Sequence, residues 1–132
     1  MTMNDDPLPD PLLRGARILL VEDEMLVSML LEDLLTDLGC EVVGPVAQLG
    51  RAVDLATVAS FDAALLDLNV DGTEVYPVAH ILAERGIPFA FVTGYGASRV
   101  TKDYRERPVL QKPFHHAALA RILRLMLSQQ AP

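Results

Sequence analysis

Four short groups of polar residues each end a run of apolar residues, and their chemistry is complementary. The groups are Glu22-Asp23-Glu24, Asp67 with Asn69, Thr93, and Lys112. Carboxylates that lie close together repel each other unless a cation neutralises them. Phosphoryl transfer needs an acceptor and groups that neutralise charge on the phosphoryl oxygens. The residue types therefore predict metal-assisted phosphoryl transfer to an aspartate.

The acidic groups predict a magnesium site, because Mg²⁺ binds hard oxygen ligands and keeps several of its waters. Asp23 and Asp67 are expected to bind the ion directly, and Glu22 through a water molecule. The backbone carbonyl of Asn69 is a further expected ligand. Glu24 is expected only to favour the N-terminus of a helix.

Two further residues predict recognition of a phosphoryl group. Lys112 supplies a positive charge and Thr93 supplies a hydroxyl donor, and both can bind phosphoryl oxygens. Taken singly, Thr93 is an ordinary strand residue and Lys112 an ordinary surface charge. The prediction therefore depends on all four groups lying at one place.

The elements that must position these groups alternate between strand and helix. Continuous apolar runs predict strands over 17–21, 41–46, 62–68, 88–93 and 108–111. Helical periodicity predicts helices over 24–38, 48–58, 73–84 and 116–128, with a short or mobile helix over 97–102. This alternation predicts an α/β fold with three layers and a doubly wound, five-stranded parallel sheet. We expect the flavodoxin-like strand order 2-1-3-4-5, in which the carboxyl ends of the strands form the site.

Composition limits the kind of protein. Hydrophobic residues make up 51% of 132 residues, which is enough for one domain with a real core, and we place that domain over 16–128. Residues 1–15 are predicted to form a mobile tail and residues 129–132 a C-terminal tail. The net charge of −7 disfavours nucleic acid and anionic membranes as partners. A single cysteine and the lack of a long apolar run favour the cytoplasm.

The order of the motifs resembles that of bacterial response-regulator receiver domains. The residues that carry the resemblance are Val21-Glu22-Asp23-Glu24, Leu65-Leu66-Asp67-Leu68-Asn69, Val92-Thr93-Gly94 and Gln111-Lys112-Pro113-Phe114. The resemblance implies that Asp67 is the phosphoacceptor and that Glu22 and Asp23 bind Mg²⁺. It implies that Thr93 and Lys112 contact the phosphoryl oxygens and that the peptide bond before Pro113 is cis.

One position departs from that pattern. Most receivers have an aromatic residue three positions before the lysine, whereas this chain has Val109. The segment 91–96 instead resembles the Phe-Ala-Thr-Gly signature of a receiver subfamily that often stands alone and pairs with HWE-type histidine kinases. Tyr95, or the whole segment 94–107, is then expected to carry the signal.

The sequence thus predicts a stand-alone receiver, not an enzyme, that accepts a phosphoryl group on Asp67 from a histidine kinase or a phosphotransfer protein. Its output would pass to a downstream protein, and a homodimer through the fourth and fifth units is open. Val109 keeps a second hypothesis open, namely an interaction module that is never phosphorylated. A Mg²⁺-dependent phosphatase is a third, disfavoured because Asn69 stands where such enzymes carry a second acid.

Overall fold

The computed structural model describes residues 10–94 and 97–128 as a sheet covered by helices on both faces. The strands are β1 (Arg17–Val21), β2 (Glu41–Val46), β3 (Ala63–Asp67), β4 (Asn69–Val70), β5 (Thr73–Glu74), β6 (Phe89–Thr93) and β7 (Val109–Gln111). The α-helices are α1 (Met25–Asp37), α2 (Leu49–Val58), α3 (Tyr76–Arg85) and α4 (His116–Ser128). The proposed C-terminal tail, 129–132, lies outside the described residues.

The main sheet has the predicted topology. Its five strands are parallel and run in the order β2-β1-β3-β6-β7, which is 2-1-3-4-5 for the strands of this sheet. Every residue of β3 and β6 is buried, as expected for central strands covered on both faces. The predicted fold class is confirmed.

Two apolar cores lie on opposite faces of the sheet. One is formed by side chains of α2, α3 and the segment 97–107, and it includes Phe89 and Phe91 from β6. The other is formed by α1 and α4 and includes Leu31 and Leu35 of α1. Leu30 of the same helix is 47% exposed. Only some of the leucines of α1 therefore face the core.

A small hairpin replaces the predicted start of α3. β4 and β5 pair antiparallel across Asp71-Gly72, and both turn residues have positive φ (53° and 78°). An Asp-Gly pair favours such a two-residue hairpin turn, because glycine and aspartate tolerate left-handed backbone. Helix α3 therefore begins at Tyr76 rather than Thr73.

The segment between β6 and β7 contains no α-helix among its described residues. It forms two short 3-10 helices, Ala97–Arg99 and Lys102–Tyr104, where the sequence predicts one short helix over 97–102. The segment is anchored by Val100, which is almost fully buried in the core. Tyr95, a predicted signalling residue, lies outside the described residues.

Part of the expected N-terminal tail packs against the domain. Leu13 is fully buried with the α1 and α4 core, and Asp10 forms an ion pair with Arg124 of α4 at 2.6 Å. The backbone N–H of Gly15 also donates to the carbonyl of Gly39. The packed part of the chain thus begins at least as early as Asp10.

No helix in the described ranges is both long and apolar enough to cross a membrane.

Candidate functional site

The carboxyl ends of β1, β3, β6 and β7 meet at one edge of the sheet, where they surround an open cavity of about 690 Å³. Its wall includes Asp23, Asp67, Thr93 and Lys112. These residues are widely separated in the chain, but parallel strands place their carboxyl ends on the same side. The fold therefore brings all four predicted polar groups to one cleft.

Glu22 and Asp67 form a buried acidic pair at the base of the site. They are 2% and 8% exposed. Burial raises the pKa of Glu22 to about 7, and hydrogen bonding to Asp67 adds to the rise. Burial also raises the pKa of Asp67, although Lys112 opposes that effect. Two carboxylates held together away from water repel each other once both are ionised, so this pair would be stabilised by a cation.

A buried carboxylate oxygen of Glu22 also indicates that a cation would stabilise this site. Within the described part of the chain, Oε1 of Glu22 accepts no hydrogen bond. The ammonium of Lys112 lies 3.6 Å from it, beyond hydrogen-bonding distance. A buried carboxylate oxygen without a partner is costly. The residues present therefore fit a small divalent cation.

The predicted metal ligands do not all lie equally close together. Oxygens of Glu22, Glu24 and Asp67 lie within 4.8 Å of each other. Asp23 also lines the cavity, but its Oδ2 accepts a hydrogen bond of 2.8 Å from the backbone N–H of Asp71. Asn69 lines the cavity too, and its backbone N–H points to Oδ1 of Asp67 at 3.5 Å. The acids that lie closest together thus include Glu24 rather than Asp23.

Glu24 is the site residue that sequence reasoning missed. Its Oε1 lies 3.3 Å from Nζ of Lys112, within hydrogen-bonding distance. The sequence offers only one signal for it, a third acid directly after the Glu-Asp pair. That signal is ambiguous, because an acid before a helix is also favoured by the helix dipole.

Lys112 is placed to neutralise the cluster. Its ammonium lies 3.9 Å from Oδ2 of Asp67, in addition to its contacts with Glu22 and Glu24. Burial disfavours its charge, but Asp67 and Glu22 outweigh that effect and raise its pKa. Its backbone N–H donates to the carbonyl of Thr93 at 2.9 Å, which ties β6 to β7 at the site. The Lys112-Pro113 peptide bond is cis, as predicted.

The fold and the cleft define a class of protein. A flavodoxin-like sheet of order 2-1-3-4-5, with acids and a lysine gathered at its carboxyl edge, is the architecture of receiver-type signalling domains. Residues 18–124 match the response regulator receiver domain, and the chain belongs to this family. Such domains are signalling domains of two-component systems.

A curated relative supports this assignment. The chain is 28% identical over 119 residues to the transcriptional regulatory protein PdtaR of Mycobacterium tuberculosis. The match covers 86% of this chain and 57% of PdtaR, so the chain spans little more than half the length of that relative.

Solved structures show the same fold. SdrG of Sphingomonas melonis Fr1 is 43% identical, with a TM-score of 0.78 over 86% of this chain and 97% of that one. A BeF₃-activated conformation of SdrG matches with a TM-score of 0.74 over 86% of this chain and 98% of that one. The receiver domain of histidine kinase PA1611 from Pseudomonas aeruginosa is 29% identical, with a TM-score of 0.72, and covers 86% of this chain and 98% of its own. That structure holds a magnesium ion in its active-site cleft.

Proposed function

We propose that this protein is a receiver that accepts a phosphoryl group on Asp67. The observation that carries the proposal is the position of the Asp67 carboxylate, inside the cavity and 3.9 Å from the Lys112 ammonium. In the proposed step an Asp67 oxygen bonds to phosphorus while the phosphorus–nitrogen bond of a donor phosphohistidine breaks. Lys112 neutralises the phosphoryl oxygens, and the Thr93 hydroxyl donates to one of them.

We propose Mg²⁺ as the cofactor, with Glu22, Asp23 and Asp67 as its acidic ligands and the Asn69 carbonyl as a neutral one. Bound there, the ion would neutralise charge on both the carboxylates and the phosphoryl oxygens. Oε1 of Glu22, which is buried and accepts no hydrogen bond among the described residues, supports the site. For Asp23 to bind the ion, its carboxylate must either contact the ion while it still accepts the hydrogen bond from Asp71, or lose that hydrogen bond.

A protein phosphodonor is supported by the surface beside the cleft. Asp67 is buried at the base of the cleft, so a protein donor, unlike a small molecule, must cover the rim to reach it. Directly after Glu24, α1 exposes Met25 (73%), Leu26 (82%), Met29 (52%) and Leu30 (47%). We call these four residues the α1 apolar surface. Exposed apolar side chains grouped at a rim are typical of protein contacts.

The donor in this proposal is a histidine kinase, of HWE type by the resemblance of segment 91–96, or a phosphotransfer protein. Such kinases draw the phosphoryl group from ATP, which places the exchange in the cytoplasm. The output passes to a downstream protein, and the domain turns over no substrate other than its own phosphoryl group.

Replacement of the acceptor tests the proposal. The Asp67→Asn protein should take up no label from a radioactive small-molecule phosphodonor in Mg²⁺, because the amide is not a nucleophile. Chelation of Mg²⁺ should abolish labelling of the wild type. Asp54→Asn, which alters an exposed acid on α2, is the matched control and should label normally. Wild-type labelling of the Asp67→Asn protein would refute the assignment.

A second candidate function is an interaction module that never carries phosphate. Val109 favours it, because this residue pairs with Phe91 in the sheet at the position where most receivers carry an aromatic ring. Equal partner affinity of the wild type and Asp67→Asn, with and without phosphodonor, would support this candidate against the first.

A further inference from the structure

Tyr76 links the cleft to the segment that joins Thr93 to Lys112. It is the first residue of α3 and lies in the wall of the cavity with Asp67 and Thr93. Its side chain also reaches the segment 97–107 on the other side. No other tyrosine in the described residues lines this cavity.

The Tyr76 hydroxyl makes two hydrogen bonds to the backbone of that segment. It accepts one from the N–H of Thr101 at 2.9 Å and donates one to the carbonyl of Arg99 at 3.4 Å. Arg99 is the last residue of the first 3-10 helix, and Thr101 directly precedes the second. The hydroxyl therefore holds this part of the chain in place.

The Tyr76 ring contacts the aromatic side chains on the same face of the sheet. It meets Phe91 edge-on, with centroids 6.0 Å apart, and stacks on Tyr104 at 5.8 Å. Phe91 and Thr93 are two residues apart on β6, so their side chains point to the same face. A movement of Thr93 therefore takes place directly beside the Phe91–Tyr76 contact.

Both ends of the segment belong to the site. Thr93 lies at the end of β6, before the segment, and Lys112 follows β7, after it. If a phosphoryl group on Asp67 draws these two residues inward, the intervening backbone must adjust. The Tyr76 bonds to Arg99 and Thr101 oppose that adjustment, because they fix the segment to α3.

We propose that Tyr76 is the positioning residue that couples phosphorylation of Asp67 to the segment 97–107. Its hydroxyl holds the segment in the unphosphorylated arrangement, and phosphorylation releases the bond from Thr101. Most receivers have an aromatic residue at the position of Val109, which has neither a ring nor a hydroxyl. In this protein Tyr76, on α3, provides the coupling instead. This inference rests on the proposed function, since it assumes that Asp67 carries the phosphoryl group.

Amide hydrogen exchange followed by NMR tests the proposal, with beryllofluoride and Mg²⁺ as the probe of the phosphorylated state. In the free wild type the Thr101 amide should be protected, and beryllofluoride should speed its exchange by about 2- to 10-fold, the worth of one hydrogen bond. Tyr76→Phe should show the faster exchange in both states and should bind beryllofluoride about 2- to 10-fold more tightly. Tyr104→Phe is the matched control, because the Tyr104 hydroxyl makes no hydrogen bond among the described residues, and it should behave as the wild type.

The outcomes separate the two proposals. Shifts of the Asp67, Thr93 and Lys112 signals with unchanged Thr101 exchange would overturn the role of Tyr76 and leave the proposed function intact. Equal Thr101 exchange in the wild type and Tyr76→Phe would overturn it in the same way. If wild-type site signals do not respond to beryllofluoride at any concentration, the proposed function fails and this inference fails with it.

Discussion

The acidic pair of Glu22 and Asp67 makes the site sensitive to pH as well as to metal. Glu22 is nearly inaccessible, and its pKa is raised to about 7 by burial and by Asp67. The folded, metal-free protein therefore keeps a proton that the unfolded chain releases near pH 4.5. Because the two states bind different numbers of protons, the free energy of unfolding depends on pH.

We expect the metal-free protein to lose stability as the pH rises from about 5 to 8. Between the two pKa values the folded state binds more protons, so the free energy of unfolding falls, by roughly 1–3 kcal/mol at the top of the window. Urea unfolding in EDTA measures this fall. Glu22→Gln, which has no charge to gain, should flatten the profile. Mg²⁺ should stabilise the wild type most at high pH, where the carboxylates are ionised. A wild-type profile that rises with pH would contradict this account.

Glu24 lies next to the acidic pair and contacts Lys112. Its side chain is 64% exposed, so its ion pair with Lys112 is screened by water and contributes little to stability. Its relevance is positional, because its carboxylate lies 3.3 Å from the Lys112 ammonium, beside Asp67. A phosphoryl group on Asp67 would compete with Glu24 for Lys112.

At the scale of elements, an irregularity in β2 helps to position the site. Leu19 pairs with Val43 and Val21 with Val46, so β2 has one residue more than β1 between these pairs. The carbonyl of Val46 then accepts the backbone N–H of Glu22 at 3.0 Å. The bulge thus orients the start of the acidic loop.

Gly44 makes that bulge possible, and its replacement should be costly. Its φ is 101°, and an added Cβ would lie 3.0 Å from the carbonyl oxygen of Leu20 and 2.9 Å from the backbone nitrogen of Val46. Gly44→Ala should lower the free energy of unfolding by roughly 2 kcal/mol or more. Gly86→Ala is the control, because Gly86 also has positive φ (71°) but open space around it, and it should cost about 1 kcal/mol. Equal losses in urea unfolding would show that crowding at Gly44 is unimportant.

At the scale of the whole molecule, the acid cleft and the α1 apolar surface lie side by side and are expected to act together. In the proposed function, phosphoryl transfer from a protein would need both, whereas transfer from a small molecule would need only the cleft. A variant of the apolar surface should therefore separate the two reactions.

Leu26→Glu should slow transfer from a phosphorylated histidine kinase by about 5- to 30-fold, the usual effect of losing a strong interface contact. Labelling by a small phosphodonor should stay within about 2-fold, because Leu26 is not in the cleft wall. Val58→Glu is the control, since Val58 is 78% exposed at the end of α2. Equal slowing of both reactions by Leu26→Glu would indicate damage to the site, and no slowing would place the kinase elsewhere.

The pattern of residues was enough to predict the five strands of the main sheet, to favour their order, and to expect Glu22, Asp67, Thr93 and Lys112 at one edge. Buried parallel strands appear in a sequence as continuous apolar runs, and their carboxyl ends meet at the same edge. The residues that follow those runs can therefore be located without coordinates.

Which side chains contact each other at that edge depends on the packing of the whole chain. Three contacts join parts of the chain that no local pattern connects. They are the Glu24–Lys112 contact, the packing of Leu13 and the hydrogen bond from the Thr101 N–H to the Tyr76 hydroxyl. The hairpin at Asp71-Gly72 replaced the first turn of the helix that periodicity predicted from residue 73. Periodicity reports which face of an element is buried, whereas the direction and partner of a polar side chain depend on packing across the whole fold.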